Sequence, residues 1–75
     1  MTIPSTGRVS TLWNLVFNGS HLRCAIYNGP NGMELRLESA TGTILREPFE
    51  MQPRSLLRTK ALRESLKRRG WREES

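Results

Sequence analysis

Seventy-five residues make one domain, near the lower end of what folds alone. A single cysteine cannot close an internal disulfide, and one Cys with one His cannot build a structural zinc site, so stability must come from packing or from a partner. Twelve basic residues against seven glutamates, with no aspartate, give a formal net charge of +5. Up to Gln52 the arginines Arg8, Arg23, Arg36 and Arg46 balance Glu34, Glu38, Glu47 and Glu50, so the excess belongs to residues 53–75 alone. That asymmetry suits a nucleic acid, an acidic protein or an anionic surface as partner.

Residues 1–10 hold Pro4, Gly7 and several hydroxyl side chains but no apolar stretch, which reads as a flexible arm and not as a signal peptide. No run approaches the ~18 apolar residues of a membrane helix. With Cys24 unpaired, the expected compartment is the cytoplasm.

The first strand is expected over residues 11–18, where Trp13, Leu15 and Phe17 share one side. Asn18-Gly19 follows, the strongest short signal for a type I′ hairpin turn, and residues 21–28 then place Leu22, Cys24 and Ile26 on one face. A two-residue turn sets Leu15 opposite Leu22 and Trp13 opposite Cys24, so the two apolar faces coincide. Gly29-Pro30-Asn31-Gly32 is dense in turn formers. As a four-residue loop it pairs Ile26 with Leu35, Cys24 with Leu37 and, on the other face, Arg23 with Glu38. The alternating segment Met33 to Glu38 is the third strand.

A fourth strand is expected from Thr43 to Phe49. Every short-loop register leaves like charges opposed or a charge turned inward, and Pro48 cannot donate to a ladder. An edge strand with a bulge or break near Pro48 follows.

The helix begins near Pro53, with Leu57, Ala61, Ser65, Leu62 and Leu66 on one side and Lys60, Arg63 and Lys67 opposite. Gly70 stands where a left-handed C′ residue belongs, and Trp71 at C″ should touch Leu66. The expected fold is α+β: a three- to four-stranded antiparallel meander packed on one C-terminal helix in two layers, with a single domain at 11–71 and a flexible tail at 72–75.

No constellation for catalysis emerges. His21 lies on the opposite face of its strand from Cys24, Ser20 lacks a third group, and Cys24 reads as a small buried hydrophobe. Glu47 and Glu50 read as ordinary solvated charge, and the glycines of 29–32 lie between strands, not ahead of a helix. The expectation is a non-catalytic chain with no metal, cofactor or small-molecule substrate.

Two surfaces could bind. Lys60, Arg63 and Lys67 form a basic helix edge able to neutralise phosphates of a nucleic acid. The sheet face away from the helix should carry Leu12, Val16, Ala25 and Tyr27 as a modest apolar patch ringed by charge, suited to a homodimer or another protein. Trp13 and Trp71 read as core residues before stacking platforms.

Trp13, Leu22-Arg23-Cys24, Gly32-Met33-Glu34-Leu35-Arg36, Leu62-Arg63, Leu66 and Gly70-Trp71 together resemble a loose group of short bacterial proteins of unknown function, whose pattern ends LRxxLxxxGW. The resemblance spans residues 12–71, implies a bacterial cytosolic origin and lends no site residues.

Overall fold

A computed structural model describes residues 7–50 and 52–74. The chain runs β1 (Gly7–Phe17), β2 (Ser20–Gly29), β3 (Gly32–Ser39), β4 (Gly42–Pro48), α1 (Pro53–Arg68) and β5 (Arg72–Glu73). The five strands form one antiparallel sheet in the order β4-β3-β2-β1-β5, with α1 against one face. The class is α+β, and the expected meander gains one strand.

The first three strands pair as their apolar patterns dictate. Leu15 faces Leu22 and Trp13 faces Cys24 across β1 and β2, while Ile26 faces Leu35 and Cys24 faces Leu37 across β2 and β3. Asn18 (φ 49°) and Gly19 (φ 81°) supply the two positive φ angles of the hairpin turn. Trp13, Leu15, Cys24, Ile26 and Leu35 are thereby stacked on one face, and Phe49, which follows β4, completes the buried cluster.

Three expectations need correction. Strand β1 starts at Gly7 and pairs with β2 from Gly7↔Asn28 onward, so residues 7–10 are strand and not arm; residues 1–6 lie outside the described residues. Residues 72 and 73 are β5 and not tail: Leu15 pairs with Glu73 and Val16 with Arg72, and the Glu74 amide donates to the Asn14 carbonyl at 3.0 Å. The outer edge of β1 offers unpaired backbone groups, and the chain leaving the helix supplies the nearest partners.

The third correction is the roll of α1. Leu57, expected inward, is 63% exposed and Ala61 is also exposed, whereas Thr59 is buried and Leu62 and Leu66 pack on the core. The helix is turned about a quarter-revolution from the expected stripe. Anchors at both ends set this roll: Phe49 before the helix and Trp71 after it both pack on the core. Glu73 of β5 adds a third constraint, drawing Arg63 and Lys67 inward to 3.7 and 3.0 Å. Burying Thr59 costs little because its hydroxyl donates to the Leu56 carbonyl at 2.8 Å.

The helix end follows its sequence signal. The Trp71 amide donates to the Leu66 carbonyl and the Gly70 amide to the Lys67 carbonyl, both at 3.1 Å, with Gly70 at φ 109°. These are the two bonds of a Schellman cap. Among the described residues, no helix is long and apolar enough to cross a membrane.

Candidate interaction surfaces

The open face of the sheet departs from the apolar patch expected there. Leu12 sits where the β1–β2 register slips between Thr11 and Trp13, a bulge that turns its side chain onto the core. Ala25 is 0% exposed, held between Thr11 and Arg36 in the ladder. Val16 and Tyr27 remain on this face, half-buried. The four residues therefore do not make one patch.

A continuous polar network takes its place. Glu38 accepts from the Tyr27 hydroxyl at 2.6 Å and from the Arg23 guanidinium at 3.1 Å. The Arg36 guanidinium lies over the Tyr27 ring, 4.3 Å from its centroid, and also donates to Glu34, which accepts a second guanidinium from Arg46 at 3.1 Å. Burial pushes the Glu38 carboxyl upward, but the bonds from Tyr27 and Arg23 outweigh it and hold the group below its ordinary value. Glu34 is held low first by Arg36 and then by Arg46. The Tyr27 phenol is raised, chiefly because its proton is committed to Glu38.

The basic edge of the helix is likewise divided. Arg63 is half-buried and bridges Glu64 and Glu73, and Lys67 donates to Glu73 at 3.0 Å. Glu73 is held below its ordinary value, first by the bond from Lys67. Lys60 alone of the three expected residues stays exposed without an ion pair among the described residues. The sequence contains Glu73, but only the pairing of β5 brings it beneath the helix.

Strand β4 is the surface that pattern reading missed. Both electrostatic conflicts that obscured its register are present, and each is compensated. Arg46 does stand opposite Arg36, with Glu34 between the two guanidiniums; Glu47 does face the helix side, where Arg58 meets it at 3.1 Å. The strand ends at Pro48, the break expected there, while the bulge falls at Ile44, between the pairs Leu37↔Leu45 and Glu38↔Thr43. Ile44 is 61% and Leu45 40% exposed on this edge, although Leu45 pairs with core-facing Leu37. The signal for this surface was the conflict itself, since a strand that tolerates opposed arginines needs a shared carboxylate such as Glu34 within reach.

Groups with catalytic potential are placed as follows. Cys24 is 0% exposed, and burial, then the charge of Glu47, push its thiol up to about 11. At neutral pH it is a protonated core side chain, not a nucleophile. His21 and Glu74 face each other at 3.8 Å on an exposed cleft of about 240 Å³ shared with Asn14, Arg23 and Glu38. Among the described residues no three His, Cys, Asp or Glu side chains cluster to hold a metal ion. Trp13 is 6% exposed and Trp71 packs on the core and on Phe17, ring centroids 5.5 Å apart. The chain matches no family model, no curated protein and no solved structure.

Proposed function

We propose that this chain is a small non-catalytic accessory protein of the bacterial cytosol that acts through protein contacts, its first partner being a second copy of itself. The observation that carries this reading is strand β4, an edge strand with exposed Ile44 and Leu45. An edge strand presents unpaired backbone donors and acceptors, and proteins ordinarily blunt such edges with charge or cover. Here Pro48 and the bulge at Ile44 shorten the usable edge, leaving the short stretch around Leu45. Antiparallel pairing of β4 with its two-fold mate, centred on Leu45, satisfies both edges. It sets Leu45 against Leu45 beside Leu37 and keeps the two Arg46 side chains from opposing each other. The contact thus moves from the open face, where Leu12 and Ala25 are withdrawn, to the sheet edge.

Light scattering over a concentration series tests it. The wild type should approach twice the monomer mass at high micromolar concentration, and Ile44→Lys should remain a monomer with an unchanged circular dichroism spectrum. A wild-type monomer throughout that range contradicts the reading.

A second reading, of a different class, is nucleic-acid binding by the basic C-terminal region. Its support is that, of the six basic residues that make no ion pair among the described residues, five lie in this region, Arg54, Lys60, Arg68, Arg69 and Arg72, the sixth being Arg8 of β1. Labelled DNA and RNA titrated at two salt concentrations test it, a steep salt dependence being required.

A further inference from the structure

We infer that the end of the molecule where the helix stops is a contact site for single-stranded nucleic acid, built from Phe17, Arg68, Arg69 and Arg72; this rests on the second reading above and gives it a place. Arg68 ends α1, Arg69 is its C-cap and Arg72 opens β5, so three guanidiniums without ion pairs among the described residues flank the Gly70 turn. A cleft of about 420 Å³ lies beside them, lined by Val16, Phe17, Asn18, Gly19, Gly70 and Arg72, and among the described residues no carboxylate lines it. Neither of the two carboxylates that follow Arg72 lines this cleft. Glu73 turns under the helix to Lys67 at 3.0 Å, and Glu74 turns to His21 at 3.8 Å.

Phe17 is the second element. It is 39% exposed although its strand neighbours on the same face, Trp13 and Leu15, are buried. Gly70 lies against one part of its ring, where an added Cβ would come within 3.0 Å of Cε1, and Trp71 tilts against it at 38°. The ring is fixed in position and open to solvent at a cationic rim. An exposed aromatic among arginines is the arrangement that holds a base by stacking and its phosphates by charge.

Arginine accounts for five of the six basic residues that make no ion pair among the described residues, which favours phosphodiester recognition by planar, forked donors over simple attraction to a surface. A single strand is favoured over a duplex because the Phe17 ring at the cleft can stack on an unpaired base, which a duplex does not present.

The test is fluorescence anisotropy with labelled oligo-dT, oligo-rU, a DNA hairpin duplex and, as a separate arm, anionic lipid vesicles. The expected result is micromolar binding of the single strands over the duplex and the vesicles. Arg68→Ala/Arg69→Ala/Arg72→Ala should weaken it at least tenfold and lower the slope of log K against log salt by about 2. Phe17→Leu, which keeps an apolar side chain against Trp71, should weaken it about fivefold or more at unchanged salt slope. The control Arg54→Ala/Lys60→Ala should have a small effect. If the wild type binds but the loss follows the control and not the triple variant, this site is wrong while nucleic-acid binding stands. If the wild type binds duplex or vesicles in preference, the single-strand assignment is overturned. If it binds no nucleic acid at low salt, the site and the reading beneath it both fall.

Discussion

Glu38 joins the Tyr27 hydroxyl and the Arg23 guanidinium across two strands, and its neighbour Glu34 joins Arg36 to Arg46 across the next pair. With Glu73, these are the carboxyls held below the ordinary value of 4.5. A depressed carboxyl stabilises the fold fully above its unfolded value and loses that contribution as pH falls through its folded value. Thermal melting should therefore be level near neutrality and decline as pH drops below about 4.5, the usual carboxylate range. Glu38→Gln should flatten that decline and lower stability at pH 7 by about 1–2 kcal/mol; an unchanged pH profile would contradict the network. Gly70 carries a different burden. It sits at φ 109°, and a Cβ added there would stand 3.0 Å from Phe17 Cε1. Gly70→Ala should therefore cost about 1–3 kcal/mol in urea denaturation.

At the scale of elements, the helix roll makes a sharp contrast between leucines. Leu62→Ala or Leu66→Ala should destabilise by about 1–3 kcal/mol, whereas Leu57→Ala should stay within about 0.5 kcal/mol. Equal losses at Leu57 and Leu62 would restore the roll that the apolar stripe alone suggests. The hairpins were legible because turn residues and alternation agree at every pair from Leu15–Leu22 to Cys24–Leu37. The Schellman cap was legible because Gly70-Trp71 carries its own local chemistry. The helix roll and β5 were not, since the roll follows from Phe49 and Trp71 packing on the core and β5 from backbone pairing with the edge of β1, tertiary contacts that periodicity does not carry. The open face failed for a related reason: a bulge at Leu12 breaks the alternation on which its assignment rested. In β4 the opposed arginines looked prohibitive only because pairwise charge counting omits a carboxylate shared from the next position along β3.

For the whole molecule, the network on the open face and the bridges to Glu73 pair five of the twelve basic residues, Arg23, Arg36, Arg46, Arg63 and Lys67, with carboxylates. Ile44 and Leu45 are exposed on the β4 edge, and three guanidiniums without ion pairs among the described residues lie where the helix ends. The proposed dimer stands or falls with β4 as the surface through which the chain meets its own copy. Hydrogen exchange at low and high protein concentration tests this most directly, because it reads the edge amides themselves. Amides around Leu45 should gain protection on concentration, while those of Gly7–Thr11 at the opposite side of the sheet stay unchanged. Protection that is independent of concentration, or that appears on other strands and not on β4, would contradict it.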